Sequence, residues 1–111
     1  MSVPRRGELV TVAVQGSFGK PRPALVIQSD LFNESHPTVT LCLVSSDLRN
    51  TPLFRLTVSP TEENGLNAQT QIQIDKTMTV LREKIGPSVG RLDDATMLKV
   101  NRALALFLGI A

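Results

Sequence analysis

The length of the chain, 111 residues, predicts one domain over residues 1–111 and excludes two. With 41% hydrophobic and 20% charged residues the composition is that of a globular protein, and a net charge of +2 permits nucleic-acid binding without indicating it. One cysteine excludes an internal disulfide. Since no membrane-length apolar run and no signal-peptide pattern occur, we expect a cytoplasmic protein.

The first part of the chain predicts two strands joined by a loop. Residues 8–14 alternate valines with other residues, which is typical of a strand with one buried face. Residues 24–27 form an apolar run that predicts a strand covered on both faces. Because Pro21 and Pro23 keep the backbone around Arg22 extended, we expect its guanidinium at the mouth of this strand, placed to bind an anion such as phosphate. An ion pair with a nearby carboxylate explains Arg22 about equally well.

The third predicted strand covers residues 38–44 and follows a polar connector containing the single histidine, His36, which we expect at the surface. Counting by twos places Ser45 on the same face as Leu41 and Leu43, at the strand end where the core gives way to solvent. A hydroxyl there suits a binding site. It also suits a local hydrogen bond to the backbone that ends the strand.

Two further strands are predicted over residues 54–58, with one wet face, and 71–75. The second of these buries Ile72 and Ile74. Its other face carries a polar row that is usually solvated, namely Gln71, Gln73 and Asp75. Residues 76–81 are ambiguous and compatible with one turn of helix.

A short, irregular last strand over residues 85–92 precedes the one clear helix, over residues 95–108. Asp93 or Asp94 can cap this helix, and Gly109 can end it. Its predicted buried stripe consists of Met97, Val100, Leu104 and Phe107, while Leu98, Ala105 and Leu106 widen the apolar surface and suggest contact with a partner chain. The element order predicts a mainly β fold, a small curved barrel or sheet closed by the C-terminal helix.

The sequence lacks the residue patterns that several kinds of catalytic site require. One histidine, one cysteine and scattered carboxylates give no metal-ligand spacing, so we expect no metal and no cofactor. Ser45 and Ser46 lack the glycines of a hydrolase elbow. Three strand-end features remain, at Arg22, at Ser45 and at residues 73–76. Antiparallel neighbours can bring Arg22 and Ser45 to one rim, where a cation and a hydroxyl would bind a phosphodiester.

Short motifs follow one another along nearly the whole chain. They are Arg6-Gly7-Glu8, the segments 22–28 (RPALVIQ) and 43–48 (LVSSDL), Asn64-Gly65-Leu66, and Ile74-Asp75-Lys76 followed by Thr79. In this order they resemble the MazF/PemK-type toxin endoribonucleases of type II toxin-antitoxin systems. The resemblance implies an SH3-like barrel with a C-terminal helix, a homodimer, a cognate antitoxin, and cleavage of single-stranded RNA at a short sequence without a metal.

The resemblance also assigns roles to residues. The family's functional arginine corresponds to Arg22 and its strand-end serine or threonine to Ser45, with Asp75 as a possible general base. In the PemK-like branch an arginine occupies the position of Gln73, and the first loop carries a histidine that is absent here, which leaves the identity of the base open. Further RNA-binding residues are expected in the first loop and at the strand ends, namely Ser17, Phe18, Gly19, Lys20, Ser46, Asp47, Gln73 and Lys76.

The implied reaction is attack of the ribose 2′-OH on the adjacent phosphorus, giving a 2′,3′-cyclic phosphate and a 5′-OH. Two other functions remain open. One is a CcdB-like toxin that inhibits DNA gyrase through the C-terminal helix and needs neither Arg22 nor Ser45. The other is a non-catalytic barrel that binds RNA or protein.

Overall fold

The structure is a computed structural model that describes residues 3–13 and 20–110. Its six strands form one antiparallel sheet in the order β4-β5-β3-β2-β1-β6. The strands are β1 (Glu8–Val12), β2 (Arg22–Val26), β3 (Thr38–Ser45), β4 (Arg55–Val58), β5 (Thr70–Leu81) and β6 (Ile85–Arg91). A short helix α1 (Asp30–Asn33) precedes β3, a 3₁₀ turn (Arg82–Lys84) precedes β6, and the long helix α2 (Asp94–Leu108) follows β6. The mainly β fold with a C-terminal helix is confirmed, as an open sheet with β4 and β6 at its edges rather than a closed barrel.

One face of the sheet packs against α2. Leu9, Leu25 and Cys42 are register partners on three neighbouring strands and are almost completely buried. Together with Val44, Ile72 and Ile74 they contact the buried side chains of α2, which are Met97, Val100, Ala103 and Leu104. This apolar layer fixes α2 to the sheet, because each such side chain stabilises the fold by about 2 kcal/mol when buried.

The opposite face of the sheet is also covered. Val12, Ala24 and Leu41 are fully buried and pack against Leu43, Met78 and Val80. Beside them lies a second small cluster of Val10, Val26 and Val39 with Ile85. Strand β2 is therefore buried on both faces, which confirms the prediction from its unbroken apolar run.

Strand β5 is longer than predicted. Residues 76–81 continue the strand instead of forming a helical turn, with Thr77 opposite Cys42 and Thr79 opposite Thr40. Between the Cys42–Thr77 and Val44–Ile72 pairs, β5 has a bulge over residues 73–76 where β3 has only residue 43. Ile72 and Ile74 face α2, whereas Met78 and Val80, which follow the bulge, face the opposite core although they too have even numbers.

The helix prediction is confirmed at both ends and corrected in its last turn. Asp93 occupies the N-cap position, and Gly109 ends the helix with a φ of 74°. Phe107 is 50% exposed, because α2 is buried only between Met97 and Leu104 and its last turn extends past that contact. The buried side chains of α2 are Met97, Val100, Ala103 and Leu104. Of the helices in the described ranges, none has the length and apolarity needed to span a membrane.

Candidate functional site

Arg22 and Ser45 lie at neighbouring strand ends on the same face. Strand β2 begins at Arg22 and β3 ends at Ser45, and these strands pair with Ala24 opposite Leu43. Continuing this register by two residues places Arg22 opposite Ser45, at a Cα separation of about 5 Å for paired residues. Arg22 is exposed and Ser45 is half-buried. The structure therefore makes the two strand ends neighbours, with Arg22 and Ser45 both on the face of the sheet opposite α2.

The polar row continues across the next two strands. Ser45 is the register partner of Gln71 on β5, and Gln71 is the partner of Thr57 on β4. Gln71 is only 5% exposed and Gln73 only 7%. The expectation of a solvated row is therefore wrong for both glutamines, because other polar groups cover them.

Arg55, which the sequence analysis did not select, holds the two glutamines. Its Nη1 donates to Gln71 Oε1 at 2.9 Å and its Nη2 to Gln73 Oε1 at 2.7 Å. Gln71 Oε1 also accepts from the backbone N–H of Arg49, and Gln71 Nε2 donates to the Arg49 carbonyl at 2.9 Å and to Thr57 Oγ1 at 3.1 Å. The alternation in strand 4 was a signal for Arg55, since it placed the residue on a polar face.

The same guanidinium reaches the segment that follows Ser45. Arg55 Nη1 donates to the Asp47 carbonyl oxygen at 2.7 Å, and the Asp47 backbone N–H donates to Ser45 Oγ at 3.0 Å. This is the local bond that the structural alternative for Ser45 predicts. It uses an acceptor site of the hydroxyl and leaves its proton to donate elsewhere, since a hydroxyl has one donor and two acceptor sites.

Asp47 carries the exposed anion of this segment. Its carboxylate pairs with Arg49 at 2.7 Å, and both side chains are 65% exposed. The hydrogen bond from Arg49 and the charge of that residue hold the pKa of Asp47 below its ordinary value. Ser46, beside it, is exposed as well.

Asp75 lies in the β5 bulge, outside the row formed by Arg22, Ser45 and Gln71. The residue is half-buried, and its Oδ1 is buried without a hydrogen-bond partner among the described residues. Nearby Cys42 is fully buried in the core, as predicted. Burial, together with the charge of Asp75, raises the pKa of the Cys42 thiol to about 12, against a lowering contribution from Arg6.

The remaining predicted residues are distributed as follows. Lys20 and Lys76 are exposed, whereas Ser17, Phe18 and Gly19 lie outside the described residues, as does Val14 of the predicted first strand. Gln73 is buried and its amide oxygen is bonded to Arg55, so it does not present itself as an RNA contact. Within residues 3–13 and 20–110, no three His, Cys, Asp or Glu side chains gather where they could hold a metal ion.

Comparisons with known proteins agree with this architecture. The "Probable endoribonuclease MazF" of Mycolicibacterium smegmatis is 41% identical over 108 residues, covering 96% of this chain and 98% of that protein. "Endoribonuclease EndoA" of Bacillus subtilis is 24% identical over 110 residues, covering 96% of this chain and 95% of that protein.

Solved structures match the fold over the same length. An "Endoribonuclease in complex with its cognate antitoxin from Mycobacterial species" superposes with a TM-score of 0.82 at 24% identity, covering 97% of each chain. A MazE-MazF structure from Deinococcus radiodurans superposes with a TM-score of 0.80 at 24% identity, covering 100% of each. The family model described as "PemK-like, MazF-like toxin of type II toxin-antitoxin system" matches residues 5–108. The chain therefore belongs to the PemK-like, MazF-like toxin family of type II toxin-antitoxin systems.

Proposed function

We propose that residues 1–111 form a single toxin domain that acts in the cytoplasm as a metal-independent endoribonuclease, cleaving single-stranded RNA at a short sequence. The observation that supports this proposal is the register of β2 and β3, which makes the strand ends that carry Arg22 and Ser45 neighbours on one face of the sheet. It is supported by 41% identity, over nearly the whole chain, to a probable endoribonuclease.

In the proposed reaction the ribose 2′-oxygen forms a bond to the adjacent phosphorus and the bond from phosphorus to the 5′-oxygen breaks. The 2′-OH gives up its proton and the leaving 5′-oxygen gains one, so the products are a 2′,3′-cyclic phosphate and a 5′-OH. Negative charge accumulates on the phosphorane oxygens. The exposed guanidinium of Arg22 stabilises that charge, because its forked donors match two phosphate oxygens.

Ser45 orients the reacting phosphate. Its Oγ accepts the Asp47 N–H, so the hydroxyl proton points to a different acceptor, which in the complex is a phosphate oxygen or the 2′-oxygen. Asp75 is the candidate general base. Its half-buried carboxylate has one oxygen without a bonding partner among the described residues, although the bulge keeps it out of the Arg22–Ser45 row.

RNA flanking the scissile phosphate is proposed to contact Lys20 and Lys76, together with Ser46 and Asp47 at the end of β3. The sequence adds Ser17, Phe18 and Gly19, which lie outside the described residues, as further proposed contacts. Phe18 would stack on an unpaired base, since stacking on aromatic side chains is how single-stranded RNA is commonly held. The two lysines are exposed and suited to the phosphate backbone.

Two protein partners belong to the proposal. One is a cognate antitoxin, such as accompanies the mycobacterial endoribonuclease with which this chain superposes. The other is a second copy of the chain, since the exposed side of α2 carries Leu98, Leu106 and Phe107, apolar residues that a homodimer would cover. Sedimentation equilibrium tests the homodimer, and a purely monomeric mass at micromolar concentration would contradict it.

The deciding experiment maps the ends of a long RNA incubated with the purified protein in excess EDTA. New 5′-OH ends at a recurring short sequence, absent with folded Arg22→Ala protein, support the proposal. A strict need for a divalent ion, or 5′-phosphate ends, contradicts the mechanism. RNA that is bound but keeps its ends indicates the non-catalytic function, and a parallel supercoiling assay identifies a gyrase inhibitor.

A further inference from the structure

We propose that Arg55 is a positioning residue for Ser45, which fixes the strand end that carries the hydroxyl from the edge strand β4, on the same face of the sheet. The inference rests on the proposed function, because Ser45 is the group whose orientation Arg55 controls. Arg55 belongs to β4, two strands away from Ser45, and makes no contact with Ser45 itself among its hydrogen bonds.

The first connection runs through Asp47. The Asp47 carbonyl oxygen accepts from Arg55 Nη1, and the N–H of the same residue donates to Ser45 Oγ. The guanidinium therefore fixes the main chain of the residue that orients the hydroxyl. Without that bond the segment after β3 loses its tie to β4, and the Asp47 N–H is no longer directed at Ser45.

The second connection runs through Gln71, the register partner of Ser45 on β5. Its amide oxygen accepts from Arg55 and from the backbone N–H of Arg49, while its amide nitrogen donates to the Arg49 carbonyl. One buried side chain thus ties β5 to the residues that follow Asp47. Arg55 keeps this amide in place by occupying one side of its oxygen.

The bonding of Arg55 favours positioning over direct contact with RNA. Both hydrogens of its Nη1 are directed at protein acceptors, Gln71 and the Asp47 carbonyl, and Nη2 is directed at the buried Gln73. Arg49 differs in this respect, because among the described residues its side chain bonds only the exposed carboxylate of Asp47. Arg49→Ala therefore removes one positive charge from beside Asp47 and keeps the main-chain hydrogen bonds to Arg55 and Gln71.

The test measures cleavage of a short RNA oligonucleotide by Arg55→Ala, Arg55→Lys and Arg49→Ala proteins, with Lys84→Ala in the exposed 3₁₀ turn as the control for loss of a cation. We expect Arg55→Ala to lower kcat by about 3- to 10-fold, no more than loss of the Ser45 hydroxyl itself, with KM changed less than about threefold, the pattern of a lost transition-state interaction. Arg55→Lys should recover part of kcat, Arg49→Ala should lose less than Arg55→Ala, and Lys84→Ala should match the unmodified protein.

A double-mutant cycle separates positioning from a general structural role. If Arg55 acts through the Ser45 hydroxyl, adding Arg55→Ala to Ser45→Ala protein lowers kcat by less than about twofold more, since the group being positioned is already gone. Multiplying losses would overturn the inference. Equal kcat values for Arg55→Ala and unmodified protein would also overturn it. If Arg55→Ala does not fold, an unchanged kcat of Arg55→Lys protein is the result that overturns the inference.

Salt dependence tests direct RNA contact. Losing one phosphate contact to a single strand reduces the slope of log K against log salt by about 0.7. We expect no such change for Arg55→Ala, and a reduction of that size would mean that Arg55 binds RNA itself. The amide signal of Asp47 in ¹⁵N–¹H spectra gives a readout without RNA. This signal should shift in Arg55→Lys protein whether or not the unmodified protein cleaves RNA. Failure of the unmodified protein to cleave RNA would refute the proposed function and leave the positioning of Ser45 by Arg55 intact.

Discussion

Arg55 and Gln73 face each other across β4 and β5, and the guanidinium donates a 2.7 Å hydrogen bond to the glutamine amide oxygen. Around this pair, side chains and main chain satisfy one another's polar groups, and the glutamines are nearly inaccessible to solvent. A buried polar layer whose members are bonded is rigid, because each displaced group loses a partner in a low-dielectric setting. The face of the sheet that carries Arg22 and Ser45 is therefore held in place by this rigid polar layer.

Arg22→Ala should abolish measurable RNA cleavage, with a loss of about 10²- to 10³-fold for removing one charge-stabilising donor group. The fold should persist because Arg22 is exposed and the core of β2 begins at Ala24. Single-turnover cleavage and thermal unfolding, measured on the same preparation, check both statements. Arg22→Lys is the matched control, since it keeps the charge and loses the fork, and it should fall between the two. Full activity of Arg22→Ala would remove this residue from the site.

Ser45→Ala should reduce cleavage by about tenfold, less than Arg22→Ala, because a neutral hydroxyl contributes a weaker hydrogen bond than a guanidinium. Ser45→Thr keeps the hydroxyl and should stay within a few-fold of the unmodified protein. Initial rates on one oligonucleotide at saturating concentration provide the comparison. If the serine variant loses more than the arginine variant, the two roles are assigned incorrectly.

Cys42 should make the protein less stable as the pH rises above about 9. Burial raises the thiol pKa from 9.0 to about 12 in the folded state, so between these values the unfolded chain loses a proton that the folded chain keeps. The contribution is fully present below pH 9, and its loss approaches 1.36 kcal/mol per pH unit, roughly, above it. Urea unfolding at pH 8, 9 and 10 measures the slope. Cys42→Ala protein shares every other titrating group and should show a shallower slope; parallel curves would contradict the prediction.

Gly65→Ala should destabilise the fold by about 3 kcal/mol, combining a left-handed backbone with overpacking. Gly65 has a φ of 67°, and an added Cβ would lie 2.2 Å from the Val89 carbonyl oxygen on β6. Gly109 offers a matched control, since its φ is 74° but, in the part of the chain that the structure describes, no atom beyond its chain neighbours lies within 4 Å of an added Cβ. Gly109→Ala should therefore cost only about 1 kcal/mol, the conformational part. Equal losses in chemical denaturation would mean that the Val89 contact relaxes freely.

Much of the fold could be predicted because its signals are local. The uninterrupted run at residues 24–27 predicts two-sided burial, and the spacing of Met97, Val100 and Leu104 predicts the buried side of α2. The neighbouring positions of Arg22 and Ser45 also follow from local signals, since both are strand-end residues and consecutive strands tend to pair. The prediction that Phe107 is buried was wrong, because the spacing of apolar residues specifies the buried side of a helix and not where its contact with the sheet ends.

The parts that could not be predicted depend on pairing between distant residues. Nothing near Gln71 or Gln73 in the sequence indicates that Arg55 lies beside them; that follows from the β4–β5 register. Residues 76–81 were ambiguous because the threonines and Met78 fit either conformation when the partner strand is unknown. The bulge before them breaks the alternation on which counting depends, so the location of Asp75 could not be read from its neighbours.

The irregularity in β5 also limits how roles can be transferred between relatives. Ile72 and Met78 are an even number of positions apart, yet their side chains lie in the cores on opposite faces of the sheet. The bulge between them interrupts the alternation of side chains along the strand. Because the β3–β5 register moves by three residues between the two halves of this strand, an alignment anchored on the early half and one anchored on the late half can place the carboxylate at different positions. Matching acidic residues here requires superposed backbones, and letter-by-letter agreement across positions 73–76 is not sufficient.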